Sequence, residues 1–256
     1  MMETFSDTLR HWRTVRRFSQ LELAVEAGVS SRHVSFLETG RASPSREMVL
    51  RLGETLQVPL AARNQMLTNA GFATRYPSLV WTDAELSPLR NAIETTLANH
   101  DPYPGLAVDR LWRIVAANSA GVDLFAAFGV GVGDSILDLL LSDALARAVV
   151  NWPEVAYQAA LRLRAESAAE GGIPEFKAAI THLEKVAKTM PATRSPVIPT
   201  ILRAGDKELS LFATIAQFGT PEEVFCGDLR VELYFPMDDV TTRHFSTATG
   251  ADGVCL

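Results

Sequence analysis

The chain has 256 residues, 47% of them hydrophobic, which suits one large or two modest buried cores. Charged residues, at 21%, are too few for long disordered stretches, and no apolar run approaches the roughly 18 residues of a membrane helix. The net charge of −6 argues against nucleic acid as a partner of the whole chain, yet residues 1–75 are net basic and the remainder strongly acidic.

Only the head of the chain is therefore expected to approach a polyanion. Glu3 and Asp7 precede any hydrophobic stretch, so the start does not read as a signal peptide. Cys226 and Cys255 have no paired spacing, which disfavours a disulfide framework or a zinc site and fits a reducing cytoplasm.

In chain order, residues 3–70 read as a run of short helices. The first spans about 5–17, with Phe5, Leu9 and Trp12 at helical spacing. Ser19 is placed to cap the next, with Glu22 completing a capping box, and Gly28 ends it in the left-handed region. Ser30 caps a third helix that Gly40 ends. Ser45 opens a fourth, and Pro59 starts a fifth that stops at Gly71. Residues 72–82 break the periodicity and read as a linker packed by aromatics. A helix over about 83–99 follows, with Thr82 as its cap.

From Asp101 the texture changes. GLAVDR and RIVAANS read as two short strands, and Asn118 is placed to cap the helix after them. GVGVGD at 129–134 does not fit the spacing of a phosphate-binding loop and reads as a plain loop. Residues 135–190 read as mostly helical. VIPTILRA, ELSLFATIAQFG and LRVELYFP then read as strands. The tail from Phe245 is small and polar. The predicted fold is an all-α five-helix head followed by an α+β domain. That domain is an antiparallel sheet of about five strands with helices on one side. The predicted divisions are 1–74 for the head, 75–100 for a linker and connecting helix, 101–245 for the body and 246–256 for a flexible tail.

The stretch SQLELAVEAGVSSRHVSFLETG has the make-up of a helix-turn-helix. Ala24 is small enough for two helices to cross closely, and Gly28 with Val29 makes and plugs the turn. The third helix is then free to present Ser31, Arg32, Ser35 and Phe36 to a major groove. Arg32 suits a guanine edge and Phe36 a thymine methyl, while Gln20 suits a phosphate. These residues resemble the Cro/repressor helix-turn-helix family of the xenobiotic-response-element type, over residues 5–70. The resemblance implies that Gln20, Ser30, Ser31, Arg32, Ser35, Phe36 and Arg41 are the DNA-binding set. It also implies a buried pair, Arg13 and Glu38, tying the first helix to the third.

The stretches RNQMLTNAGFATRY, DRLWRIVAANSA and LRVELYFPMDD together resemble regulators with a C-terminal MmyB-like ligand-binding domain, a variant of the PAS fold, over about residues 76–245. The resemblance implies a small-molecule pocket, with a fatty acid or similar lipid as the expected ligand. The residues offer apolar candidates for it in Leu139, Leu140, Trp152, Tyr157, Leu161, Ile180, Phe212, Ile215, Phe218 and Phe235. Arg113, His182, Arg194 and Arg203 are the candidate partners for a carboxylate.

No catalytic set is legible. The neighbouring acids Glu222 with Glu223, and Asp238 with Asp239, do not make a positioned acid–base dyad. There is no nucleophile elbow, no metal-ligand spacing, and no signature of heme or flavin. The expectation is a non-enzymatic, cytoplasmic, homodimeric transcription regulator with double-stranded operator DNA and a small apolar ligand as partners. It has no cofactor beyond a bound fatty acid, and no membrane association. The competing reading is an antitoxin-like regulator whose body docks a protein.

Overall fold

The computed structural model describes residues 4–77, 79–188, 197–217 and 229–248. These group into two compact units, one centred on the N-terminal helices and the other on a sheet.

The first unit contains α1 (Phe5–Val15), α2 (Gln20–Glu26), α3 (Ser31–Glu38), α4 (Arg46–Thr55) and α5 (Leu60–Asn69). Side-chain caps set most of the boundaries. Thr4 with Asp7, and Ser19 with Glu22, form capping boxes, and Ser30 and Ser45 accept from the third backbone amide of their helices. Gly28 ends α2 at φ 65°, where any residue with a Cβ is strained. The apolar stripes meet in one core built around Leu9, Leu23, Val34, Leu37, Leu52 and Leu67, all fully buried. The aromatic residues after α5 belong to this unit. Phe72 and Tyr76 pack on its core, and the Asn64 amide bonds the backbone at Arg75 and Tyr76.

The second unit holds a five-stranded antiparallel sheet of β1 (Gly105–Val108), β2 (Ile114–Ala117), β3 (Thr200–Ala204), β4 (Lys207–Gln217) and β5 (Arg230–Pro236), in the order β2-β1-β5-β4-β3. Its helices are α6 (Ser87–Ala98), α7 (Ser119–Ala126), α8 (Ile136–Leu140), α9 (Asp143–Ala148), α10 (Trp152–Ala169), α11 (Phe176–Ala187) and α12 (Asp239–Ala248). Asn118 joins three of these elements. Its Oδ1 accepts from Gly105 and Gly121, and its Nδ2 donates to the carbonyls of Leu97 and Tyr103.

The structure departs from the sequence expectations at four places. Helices do not lie on one side of the sheet only: Ile93 and Leu97 of α6 pack on Ala107 and Val231, while Glu232 and Tyr234 of β5 face the other way, towards α10. The predicted connecting helix is thus part of the sheet domain's core. It begins with a 3-10 turn at Ala84–Leu86 rather than at a Thr82 cap, because the Asp83 carboxylate closes a turn by accepting from the Val80 amide. Finally, α12 runs into the stretch expected to be tail. Asp238 accepts from the Thr241 amide at its start, and Phe245 is buried. Residues 246–248 are therefore helical, and 249–256 lie outside the described residues.

Candidate functional site

The first candidate site is the outer face of α3. The helix is held from behind by Glu38, which is 2% exposed. Arg13 donates to it from Nε to Oε1 at 2.5 Å and from Nη2 to Oε2 at 3.0 Å, and a further Arg13 nitrogen donates to the Phe18 carbonyl. Gln20 donates from Nε2 to Glu38 Oε2 at 2.7 Å, and Arg10 donates to the Glu38 carbonyl. Burial alone would raise the Glu38 pKa. Hydrogen bonds from Arg13 and Gln20, with the charges of Arg13 and Arg10, outweigh it and hold the carboxyl below its ordinary value.

This arrangement leaves a polar face outward. Ser31, Arg32 and Arg41 are exposed, and Ser35 and Phe36 are half-buried. Ser30 is occupied as the cap of α3, with its hydroxyl accepting from the His33 amide at 3.1 Å. The Arg32 guanidinium lies 5.1 Å from the centre of the Phe36 ring, a cation–π contact. Gln20 is half-buried, and its amide nitrogen carries two hydrogens, of which the bond to Glu38 uses one.

The second candidate site is a cavity of about 570 Å³ within the sheet unit. It lies between α10 on one side and β4 and β5 on the other, and α7, α8 and β3 contribute to its walls. That volume falls in the ordinary range for small-molecule sites. On α10, Val155, Gln158, Ala159 and Arg162 face it, at the i, i+3, i+4, i+7 spacing of one helical stripe. On the sheet, pairing sets Ala213 beside Tyr234 and Ile215 beside Glu232, so these four share the cavity's side.

One wall is ionic. Arg162 Nη2 is 2.6 Å from Glu232 Oε1, and Arg162 Nε donates to Glu166 Oε1 at 2.8 Å. Arg230 pairs with Glu166, which also accepts from Trp112 Nε1 at 2.7 Å. The Arg162 guanidinium lies 4.4 Å over the Trp112 ring, and the Tyr234 hydroxyl donates to Glu232 Oε2 at 3.1 Å. Burial pushes the Glu166 carboxyl up, but the hydrogen bonds from Arg230, Trp112 and Arg162 outweigh it and hold the carboxyl below its ordinary value. Burial and the Glu232 charge keep the Tyr234 hydroxyl protonated well above its usual range. Trp112 takes φ 60° in the turn between β1 and β2. The Asp109 carboxylate fixes that turn by accepting from the Leu111 and Arg113 amides.

Several expected pocket residues are elsewhere. Leu139, Leu140 and Ile215 line the cavity. Phe212 borders it, but its ring stacks on its cross-strand neighbour Phe235 at 5.3 Å, and Phe235 does not line it. Tyr157 and Leu161 are 37% and 44% exposed, because they sit on the opposite side of α10 from Ala159 and Arg162. Trp152 is buried but does not border the cavity, and neither do Ile180 and His182 of α11. Arg113 is exposed beyond the Asp109 turn, and Arg203 is exposed with Nη1 donating to the Arg147 carbonyl. Arg194, Phe218, Glu222, Glu223, Cys226 and Cys255 lie outside the described residues.

The cation at the cavity is Arg162, which was not among the candidates. Its pairing with Glu166 at i+4 reads as an ordinary surface pair on a long helix. The sequence does carry a signal for the rest of the wall. In RVELY, Arg230, Glu232 and Tyr234 alternate with Val231 and Leu233, which places three polar groups on one face of a buried strand. Asp238 is used as a helix cap. Residues 129–134 form a turn in which the Asp134 carboxylate accepts from the Gly131 amide. Among the described residues no cluster of metal-ligating side chains occurs, and no helix is long and apolar enough to cross a membrane.

Comparison with known proteins divides the chain the same way. A helix-turn-helix domain model matches residues 4–66, and the model of the MmyB-like transcription regulator ligand binding domain matches residues 89–247. No curated protein matches the chain. Among solved structures, the PAS domain of BvgS from Bordetella pertussis is 13% identical with a TM-score of 0.31. The match covers 65% of this chain and 99% of that one. An RNA-binding light-oxygen-voltage receptor is 15% identical with a TM-score of 0.24, covering 97% of this chain and 64% of that one.

Proposed function

Because this chain belongs to the family of regulators with an MmyB-like ligand-binding domain, here preceded by a helix-turn-helix domain, we propose that its DNA binding is set by an apolar ligand held in the α10–sheet cavity. The ligand class is a fatty acid or related lipid. The observation that carries this reading is the cavity lining. Beyond a single ionic wall only Gln158, Thr200 and Thr214 are polar, and the rest of the lining is aliphatic and aromatic, which suits a chain. The α3 face supplies the readout, with Arg32 as the base-reading residue and Gln20 and Arg41 on the backbone.

The working form is a homodimer in the cytoplasm, with one α3 in each of two half-sites about one helical turn apart. A ligand that favours one of two states by about 1–3 kcal/mol would change operator affinity about 5–150-fold. The test is to select a tight-binding sequence from random duplex DNA, then titrate it with the delipidated full chain in the presence and absence of lipid extracted from the expressing cells. At least a fivefold change in affinity is expected. Equal affinities across the lipid fractions would remove the sensing role and leave a constitutive DNA binder.

A further inference from the structure

The ionic wall of the cavity is balanced. Arg162 and Arg230 contribute two positive charges, and Glu166 and Glu232 two negative ones, all within one connected set of contacts. Arg162, Glu232 and Tyr234 are the only ionisable side chains among the described residues that line the cavity. Arg162 therefore arrives at the cavity already neutralised, by Glu166 at Nε and Glu232 at Nη2. An anionic head entering an apolar cavity would have no uncompensated cation to meet. A carboxylate accepting from a remaining Arg162 N–H would add a third negative charge to a buried set in which two cations and two anions already balance, beside Glu166 and Glu232.

An uncharged donor faces no such obstacle. A carboxylate has about four acceptor positions. Glu232 uses one of them towards Arg162 and one for the Tyr234 hydroxyl. The Tyr234 oxygen, held as a neutral hydroxyl by its donation to Glu232, keeps acceptor capacity of its own. A neutral O–H or N–H at the end of an apolar chain can donate to either group without disturbing the ion pairs.

We infer that the cavity selects an apolar chain ending in a neutral hydrogen-bond donor, a long-chain alcohol or primary amide, over the ionised fatty acid of the same length. The inference rests on the cavity being a lipid site and names the polarity of the head that it takes.

The test uses the delipidated full chain at pH 7.5, with N-phenyl-1-naphthylamine as a neutral fluorescent occupant displaced by decanol or by decanoate. Decanol is expected to displace the probe at a concentration at least tenfold lower than decanoate. Equal potency, or tighter binding of decanoate, would overturn the head preference while leaving the cavity a lipid site. Failure of both to displace the probe would overturn the lipid site and the inference together. E232Q removes one negative charge and leaves Arg162 in excess, so the ratio should shift at least tenfold towards decanoate. An unchanged ratio in a folded E232Q would count against the charge argument. If that variant does not fold, the comparison on the native chain decides alone.

Discussion

The guanidinium of Arg13 holds both carboxylate oxygens of Glu38, at 2.5 Å and 3.0 Å, across the 25 residues that separate α1 from the end of α3. Glu38 also accepts from Gln20, so one buried carboxylate fixes the rear of α3 and orients the residue that opens α2. The helix that faces outward is thereby set from its inner side. Arg13→Ala would leave that carboxylate without its cation, and breaking a buried pair in this way costs about 3–5 kcal/mol. A urea titration of the full chain, followed by a probe in the first unit such as Trp12 fluorescence, should show that loss. An unchanged midpoint would mean that the pair is not what holds α3.

Arg32 is placed for base readout and Gln20 for the backbone, so their variants should behave differently. Arg32→Ala should reduce discrimination between the selected operator and a scrambled duplex by about 1–3 kcal/mol. Gln20→Ala should weaken both duplexes by similar factors, because a phosphate contact carries no sequence information. Fluorescence anisotropy on the two duplexes at one fixed salt concentration separates these outcomes. An unaltered ratio for Arg32→Ala would move base recognition away from this face of α3.

Glu38 and Glu166 both have pKa values held below the ordinary glutamate value of roughly 4.3 in the folded chain. The folded state then binds fewer protons than the unfolded state in the acid range. The stability these groups contribute is fully present above that ordinary value and is lost as pH falls through the depressed folded values. Denaturant midpoints measured from pH 7 down to pH 3 should therefore fall in acid. The fall should be shallower in Glu38→Gln for the first unit and in Glu166→Gln for the second. Acid slopes identical to those of the native chain would show that these carboxylates titrate alike folded and unfolded.

Gly121 tests the junction of α7 with β1. A Cβ there would stand 2.5 Å from the Gly105 carbonyl oxygen, so α7 must move for any larger residue. Gly28 is a useful contrast, since a Cβ there meets nothing within 4 Å and the cost is only that of φ 65°. Gly121→Ala should destabilise the second unit by about 1–3 kcal/mol through overpacking. Gly28→Ala should cost the first unit about 1–2 kcal/mol. Equal stability of Gly121→Ala and the native chain would show that α7 tolerates displacement from the sheet.

How much of this was legible in the sequence depends on the range of the interaction that fixes each feature. Ser19 with Glu22, the Gly28 turn and the Asn118 cap act within a few residues, and each was readable where it stands. The five strands were readable from β-branched and aromatic runs, although β3 begins only at Thr200. The Thr82 cap failed because Asp83 offers a competing carboxylate one residue on. α12 was hidden because Ser246 and the threonines around it read as tail, while the contact that makes it a helix of the core is Thr241 accepting from Ser210, 31 residues away. The ionic wall was the least legible. Arg162 meets Glu232 only after α10 crosses the sheet, and alone each looks like a solvated charge. Tyr157 and Leu161 lie off the cavity for a related reason: the helix is legible, but which of its sides faces inward is set by Ala159 and Arg162 meeting the sheet.

The cavity between α10 and the sheet is proposed to carry a lipid. This is tested most directly by mass spectrometry of an organic extract from the chain purified without added lipid, together with the native mass of the intact protein. About one lipid per chain is expected in the native protein, with its loss in Ala159→Phe, where a ring is placed on the α10 wall of the cavity. An empty extract with the native mass of the bare chain would contradict it, and so would the same lipid retained at full occupancy in folded Ala159→Phe.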